Sequence, residues 1–270
     1  MSMGGLSYRS IFANPDSLHG TANLFRHAIR LGLHDYSSLN RITNKLYTKA
    51  ADFGSKDHNL AGLWPWEQKI VDEFFASQHY ILVAGAGGGR EAIALAKQGF
   101  SVTAFDFCAA LTKACRSHLA ELGLKARVLD APPDCAPPEL TSELFVYDAI
   151  FLGRGFYHHI PGRTRRALFL KGCRQFVRQG APLFLSDFFN RQTSDPFYYK
   201  TYMVAKAIRT IRLSPDPVEL GDWLSNCMQH AFVASEIEAE MKEAKFRLKH
   251  YLDTPFGLDT QLAHAVGIAQ

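Results

Sequence analysis

The spacing of apolar residues divides the chain into a helical first part and a second part in which strands and helices alternate. Up to about residue 75, apolar side chains recur at helical intervals and predict helices within 23–31, 39–53 and 66–75. From residue 80 onwards, short apolar runs next to glycine, proline or polar residues are typical of buried strands. These predicted strands lie at 80–84, 100–105, 126–129, 148–152 and 182–186.

Amphipathic segments between and after these strands complete the predicted order of elements. Helices are predicted at 90–98, 109–122, 163–178 and 236–244. Two strand-like runs, 246–252 and 263–269, then predict a terminal hairpin, whose loop contains Pro255 and Gly257. Alternation of strand and helix is typical of βαβ units with right-handed crossovers. We therefore predict an α/β fold with a seven-stranded, mostly parallel sheet that ends in an antiparallel C-terminal hairpin.

The change of pattern also predicts how the chain is organised. Residues 1–78 are expected to form a helical accessory region or lid, and residues 79–270 a ligand-binding domain built on the sheet. An aromatic-rich insert at about 188–234 interrupts the alternation of strand and helix. We expect this insert to shape a pocket.

The most informative motif is a glycine loop between the first predicted strand and the next helix. Gly85-Ala86-Gly87-Gly88-Gly89-Arg90 lets the backbone turn tightly and approach a ligand closely, with a helix N-terminus behind it. Asp106 ends the second strand, where a carboxylate can accept hydrogen bonds from ribose hydroxyls. Asp130 ends the third strand and is expected near the other end of the same ligand. Together, these features predict a nucleoside-containing cofactor.

The position of Arg90 distinguishes between two kinds of nucleoside cofactor. Dinucleotide-binding loops read G-x-G-x-x-G, and Arg90 stands where the third glycine belongs. A pyrophosphate needs an open approach to the helix, which glycine provides. An NAD(P)-dependent oxidoreductase is therefore the less favoured alternative.

In these motifs the chain resembles the class I S-adenosylmethionine (SAM)-dependent methyltransferases, which have a Rossmann-like fold. The resemblance rests on residues 81–89, 102–106 and 129–131, and it continues through residues 157–160, which are similar to a segment of many small-molecule methyltransferases. It implies a SAM-dependent methyltransferase with SAM as cofactor and S-adenosylhomocysteine as product. Members often carry an acid in the first strand, where this chain has Val83 or Ala84.

The resemblance also implies roles for individual residues around the cofactor. Gly85, Ala86, Gly87 and Gly89 would surround the methionine part, Asp106 would hold the ribose, Phe107, Asp130 and Ala131 would meet the adenine, and Gly153 and Arg154 would lie near the sulfonium.

Candidate bases for methyl transfer follow the fourth and fifth predicted strands. His158, His159 and Asp187 would lie at the carboxyl edge of the sheet, where ligands bind in such folds. Histidine titrates near neutral pH, and His159 matches the family position better than His158. The alternative is that both histidines have purely structural roles. The residues expected to cover the site from the N-terminal helices are Tyr47, Trp64 and Trp66.

Composition narrows the choice of partner and location. A net charge of +4 is mild for a nucleic-acid-binding protein, so we favour transfer to an oxygen or nitrogen atom of a small molecule. No two of the five cysteines have C-x-x-C spacing, so the sequence indicates neither a metal site nor disulfides. Free cysteines are typical of a reducing compartment, which favours a cytoplasmic location. No apolar stretch has the length and purity of a membrane span, so no membrane partner is expected. A non-catalytic SAM-binding module is the third alternative, and the sequence leaves the oligomeric state open.

Overall fold

A computed structural model describes residues 21–253 and 262–270. The loop with Pro255 and Gly257, and the first 20 residues of the predicted helical region, lie outside the described residues. The helices are α1 (Thr21–Leu33), α2 (Tyr36–Lys49), α3 (Ala51–Gly54), α4 (Lys56–Asn59), α5 (Pro65–Phe74), α6 (Arg90–Lys97), α7 (Ala109–Glu121), α8 (Arg163–Phe176), α9 (Pro196–Ile211) and α10 (Ala234–Glu243). The strands are β1 (Tyr80–Ala84), β2 (Ser101–Asp106), β3 (Ala126–Asp130), β4 (Ala149–Leu152), β5 (Pro182–Phe189), β6 (Asp222–Leu224), β7 (Met228–His230), β8 (Phe246–Asp253) and β9 (Leu262–Ala269).

Seven of these strands form one sheet in the order β3-β2-β1-β4-β5-β9-β8. The first five strands run parallel, and β9 pairs antiparallel with both β5 and β8. The predicted seven-stranded, mostly parallel sheet with a C-terminal hairpin is confirmed. Because β1 and β4 are neighbours in the centre, the chain reverses its direction of winding there, and ligands bind at such a point in open α/β sheets.

Apolar layers cover both faces of the sheet, which is why β1, β4 and β5 read as nearly continuous apolar runs. On one face, α8 and α10 contribute Phe169, Leu170, Ile237 and Met241. On the other face, α5 and α6 pack on the sheet beside the apolar side chains of β1 and β2. Trp66 belongs to this second layer, where it stacks on His264 at a ring distance of 5.0 Å. The structure thus places Trp66 in the core rather than over the site.

The insert after β5 packs with the N-terminal helices. It consists mainly of α9 and the two-stranded β6–β7 sheet, which the sequence pattern did not predict. Helix α1 runs along α9, and a Cβ atom at Gly32 would lie 2.7 Å from Cβ of Ile208, so this contact requires glycine. Together, these elements cover the edge of the sheet that carries the glycine loop. The division at residues 78 and 79 stays a prediction.

Candidate functional site

The glycine loop is fastened to the end of β2 by its own backbone. The N–H of Ala86 donates to the carbonyl oxygen of Phe105 at 3.0 Å, and the N–H of Gly87 donates to Oδ2 of Asp106 at 2.9 Å. Gly85 and Gly87 have φ angles of +68° and +53°, in the left-handed region that favours glycine. The loop therefore turns away from the sheet and opens a cleft at its edge.

Asp106 is the acidic group at the base of this cleft. Its second carboxylate oxygen, Oδ1, accepts the N–H of Cys108 at 2.8 Å. Burial raises the pKa of Asp106 to about 6, although its hydrogen bonds to backbone N–H groups act in the opposite direction. Near neutral pH, Asp106 is thus a rigidly held carboxylate that can still accept hydrogen bonds from a ligand.

The cleft has about 650 Å³ of empty space, counting the open solvent at its mouth. Tyr47 lines the cleft, and so do seven residues predicted from the sequence to be cofactor-binding or catalytic. These seven are Gly85, Ala86, Gly87, Asp106, Phe107, Arg154 and His159. The structure therefore brings together residues from the glycine loop and from the ends of β2 and β4.

Other predicted residues lie outside this lining. Gly89 starts α6 with a φ angle of +107°, and a Cβ atom at Gly153 would overlap the carbonyl oxygen of Gly85. Both positions therefore require glycine for the conformation or packing of the loop, although neither lines the cleft. The carboxylate of Asp130 faces outwards, where it accepts hydrogen bonds from Thr112 and Arg116. The adenine contacts of Asp130 and Ala131 stay predictions.

A buried ion pair lies behind the glycine loop. Nη1 and Nη2 of Arg90 donate to the carboxylate of Glu67 at 2.6 and 2.7 Å, and Nη2 also donates to Oε1 of Glu91 at 2.6 Å. Glu67 further accepts the N–H of Trp64 and the hydroxyl of Ser186. Arg90 therefore links the start of α6 to the N-terminal helix α5, and it occupies the place where a dinucleotide-binding loop needs space.

Arg154 places a second cation on the wall of the cleft. Its Nε donates to Oδ2 of Asp187, and its guanidinium lies 5.4 Å from the centre of the Trp64 ring. Its backbone N–H donates to Oε1 of Glu91 at 3.2 Å. Glu91 also lines the cleft, so both a guanidinium and a carboxylate contribute to the lining.

Asp187 lies beneath Arg154 rather than in the lining of the cleft. It has a φ angle of +57° at a bulge in the pairing of β5 with β9, which turns its side chain towards Arg154. Only 1% of Asp187 is exposed, and its Oδ1 has no hydrogen-bond partner among the described residues. Burial raises the pKa of Asp187, although the charge of Arg154 acts in the opposite direction. Asp187 therefore contacts Arg154, which lines the cleft, but does not line the cleft itself.

His159 lines the cleft and is held at both ring nitrogens. Nδ1 lies 2.6 Å from the carbonyl oxygen of Met228, and Nε2 lies 2.7 Å from the hydroxyl of Tyr47. Because a carbonyl only accepts, Nδ1 carries the proton and Nε2 accepts the Tyr47 hydroxyl. Burial lowers the pKa of His159 to about 4, so the ring is neutral at pH 7. The sequence predicts that Tyr47 covers the site, but it does not predict the contact with His159.

His158 does not line the cleft. Its ring is fully buried and packs on Phe189 at 4.8 Å. Burial, together with the nearby His159, lowers the pKa of His158 well below its usual value. The surroundings of His158 are those of a structural residue.

The sequence did not predict most of the lining residues that come from the N-terminal helices or adjoin the loop. These are Phe53, His58, Asn59, Glu91, Leu111 and Phe156. Gly88 and Arg90, which belong to the predicted loop, also line the cleft. A Cβ atom at Gly88 would overlap the carbonyl oxygen of Phe53 and the amide of Asn59, so α3 and α4 touch the loop directly. No local pattern predicts that contact.

A smaller recess of about 270 Å³ adjoins the cleft and shares Phe107, Phe156 and His159 with it. Asp134, in the proline-rich loop after β3, accepts the side-chain amide of Asn40 at 2.8 Å there. The N-terminal helix α2 thus contributes to both cavities.

No protein-family model matches the sequence, and no curated protein matches it significantly. Solved structures are similar to it in fold. One is a SAM-dependent methyltransferase from Methanosarcina mazei, with a TM-score of 0.61 and 18% identity over 77% of this chain and 98% of that chain. Another is the 1,6-didemethyltoxoflavin-N1-methyltransferase of Burkholderia thailandensis with bound 1,6-didemethyltoxoflavin and S-adenosylhomocysteine, with a TM-score of 0.62 and 13% identity over 88% and 92% of the two chains.

A SAM-dependent methyltransferase from Aquifex aeolicus is similar as well, with a TM-score of 0.53 and 16% identity over 88% of this chain and all of that chain. The chain has the Rossmann-like fold of the class I SAM-dependent methyltransferases.

Proposed function

We propose that the protein binds SAM in the cleft and transfers its methyl group to an oxygen or nitrogen atom of a small molecule. This proposal rests mainly on one observation: the glycine loop, the Asp106 carboxylate, and the side chains of Arg154 and Glu91 all line the same cleft. A nucleoside with an amino-acid tail needs these three kinds of contact: room near the backbone, an acceptor for ribose hydroxyls, and opposite charges for the tail.

The side chains fit the two ends of SAM. Asp106 can accept hydrogen bonds from the ribose hydroxyls, because a carboxylate has about four acceptor positions and the backbone N–H groups of Gly87, Phe107 and Cys108 leave capacity for a ligand. Arg154 can bind the carboxylate of the methionine part, and Glu91 can bind its amine. Glu91 therefore supplies the negative charge that is missing from β1, where this chain has Val83 and Ala84.

Bound SAM supplies a methyl group on a sulfonium, which an acceptor atom displaces in line. The protein contributes chiefly by holding the acceptor close and correctly oriented, and by keeping water away. Asp187 is a positioning residue in this proposal, because its carboxylate holds Arg154 at the wall of the cleft.

The Tyr47–His159 pair is the proposed route for the proton that leaves the acceptor. The hydroxyl of Tyr47 already points its proton at Nε2 of His159, so it can pass this proton on while taking another from the acceptor. The carbonyl of Met228 holds Nδ1–H and favours the positive charge that then forms on the ring. Because the pKa of His159 is only about 4, the ring holds that proton briefly and releases it readily.

Three observations favour this reaction over the alternatives. Arg90 is 2% exposed and occupies the start of α6, which leaves no open approach for a pyrophosphate. A tyrosine hydroxyl hydrogen-bonded to a neutral histidine lies in the lining, and a purely SAM-binding module does not need this pair. One solved structure of similar fold is an N-methyltransferase with its small-molecule substrate bound, which supports a small-molecule acceptor.

Methyl transfer from SAM with a labelled methyl group tests the proposal. The purified protein is incubated with panels of phenols, carboxylic acids and amines, and extractable label is counted. We expect transfer to at least one panel, and a fall in kcat of about 100-fold or more for His159→Gln with little change in SAM affinity. His79→Gln, at an exposed site, is the matched control. Hydride transfer from a nicotinamide cofactor, without methyl transfer, would contradict the proposal.

A further inference from the structure

The paired helices α1 and α9 expose an unusual number of large apolar side chains. We define the basic apolar face by Phe25, Ile29 and Leu33 of α1, Tyr199, Met203 and Ile211 of α9, and Leu213 just after it. On α1 these residues lie at intervals of four, so they form one stripe. Ile211 and Leu213 are 83% and 88% exposed, so neither side chain packs in the interior of the protein.

At their C-terminal ends, the exposed apolar residues of the two helices lie close to the contact between α1 and α9. Gly32 packs on Ile208, and Nη1 of Arg212 donates to the backbone carbonyls of Gly32 and Leu33. These contacts bring the end of the α1 stripe next to the end of the α9 stripe. Leu213 has a φ angle of +53°, which a bulky residue rarely adopts, and it holds its side chain out at the tip.

The charges on the two helices all have one sign. Neither α1 nor α9 contains an acidic residue, and together they contain five lysines and arginines. The net charge of the two helices, +5, therefore exceeds the net charge of the whole chain, +4. Arg209 is buried and donates to backbone carbonyls, but Arg26, Lys200 and Lys206 are exposed, as is Arg212 at the helix end. Exposed apolar side chains are thus interspersed with exposed cations.

We infer that the basic apolar face binds an anionic lipid surface. An interfacial helix buries apolar side chains at the headgroup boundary and places Lys and Arg among anionic headgroups, which is the composition found here. No described helix is long and apolar enough to cross a membrane, so the contact would be peripheral. The sequence-based expectation of no membrane partner considered only spanning segments. This inference does not rest on the proposed methyltransferase activity.

Charge complementarity favours a lipid surface over a second copy of this chain. Two copies that met through this face would bring exposed cations together with no acidic residue of either helix to offset them. An anionic headgroup layer offsets all of these charges at once. Each basic side chain near such a surface raises the partition coefficient onto the membrane about fivefold.

Sedimentation with vesicles tests the inference on the full chain. The probes are vesicles of phosphatidylcholine alone and of phosphatidylcholine mixed equally with phosphatidylglycerol. The charge variant is Arg26→Glu with Lys200→Glu, and the matched control is Lys97→Glu with Lys125→Glu, two exposed lysines away from this face that give the same change in net charge. The apolar variant is Ile211→Ser with Leu213→Ser, whose high exposure makes misfolding a minor concern. Thermal unfolding checks that each variant is folded.

We expect binding to the mixed vesicles and not to phosphatidylcholine alone, and weaker binding at high salt. The charge variant should lower the partition coefficient by about 25-fold or more, and the matched control by less than about threefold. The apolar variant should lower it by about tenfold or more. Failure of the wild-type protein to bind mixed vesicles would overturn the inference, as would an equal loss in the matched control. A solution dimer that the apolar variant dissociates would instead assign the face to self-association.

Discussion

Replacing Arg90 by methionine removes a buried cation while keeping a side chain of similar length. Arg90 and Glu67 have side-chain exposures of 3% and 0%, and their closest N···O distance is 2.6 Å. In the variant, Glu67 keeps the Trp64 N–H and the Ser186 hydroxyl but loses its compensating charge. Glu91 loses the same partner. The variant therefore leaves buried negative charge without an offset.

The expected cost follows from that loss. Removing one partner of a buried ion pair typically costs about 3–5 kcal/mol in the free energy of unfolding, because the other charge stays desolvated. For a chain of this size, each kcal/mol lowers Tm by about 2–4 °C, so we expect a decrease of roughly 6–20 °C. Lys171→Met is the matched control, because the Lys171–Glu243 pair at 2.9 Å is exposed and such pairs contribute about 1 kcal/mol or less.

The pH dependence gives a second signature. Burial raises the pKa of Glu67, but the charge and hydrogen bonds of Arg90 outweigh it and leave the pKa lowered. In the wild type, the contribution of Glu67 to stability is therefore present above its unfolded pKa and lost as pH falls through the folded value. In Arg90→Met the burial effect dominates, so stability should instead increase as pH falls and Glu67 is protonated.

Urea unfolding followed by circular dichroism, at several pH values, measures both effects. Glu67→Gln with Arg90→Met should recover part of the loss, since no unpaired charge is then buried. If Arg90→Met cost no more than Lys171→Met, or kept the pH dependence of the wild type, the described role of the ion pair would be refuted.

Three further predictions concern the loop, the acid of the cleft and a buried histidine. Gly85→Ala should abolish SAM binding, because its Cβ would overlap Phe156 at a positive φ angle, whereas Gly62→Ala, also at a positive φ angle but with open space, should retain binding by calorimetry. SAM affinity should fall as pH decreases below about 6, because Asp106 is protonated there; titrations at pH 5 and pH 7.5 would disprove this if they agreed. Burial lowers the pKa of His230, but Asp222 and Glu236 outweigh that and leave it raised. Stability from His230 is then present below its unfolded pKa and lost as pH rises through the folded value, so the difference in unfolding free energy between the wild type and His230→Gln should shrink between pH 6 and pH 9.

The parts of the fold that the sequence predicted depend on local, repeating signals. Strands β1 and β4 are buried on both faces, so every position in their centre is apolar and the run stands out. The glycine loop and Asp106 are equally local, because the backbone geometry of one turn requires those residue types. Such features can be recognised without knowing what packs on them.

The parts that the sequence did not predict depend on contacts between distant segments. Asn59 and Phe53 reach the loop only because α3 and α4 fold over Gly88, 29 positions after Asn59 in the chain. Strands β6 and β7 have three residues each, too few to show an alternating pattern. Asp130 ends β3 as predicted, yet the direction of its side chain depends on Thr112 of a neighbouring helix. Direction and partner are properties of packing, which a residue type at a strand end does not specify.

Calorimetric titration of the purified protein with SAM, S-adenosylhomocysteine and NAD tests the central claim, that the cleft is a SAM site. The variant is Asp106→Ala, and the matched control is Asp72→Ala, which removes an exposed acid of α5 outside the lining of the cleft. We predict micromolar binding of SAM and S-adenosylhomocysteine, no binding of NAD, loss of binding in Asp106→Ala and retention in Asp72→Ala. Binding of NAD without binding of SAM, or unchanged SAM binding by Asp106→Ala, would contradict the claim.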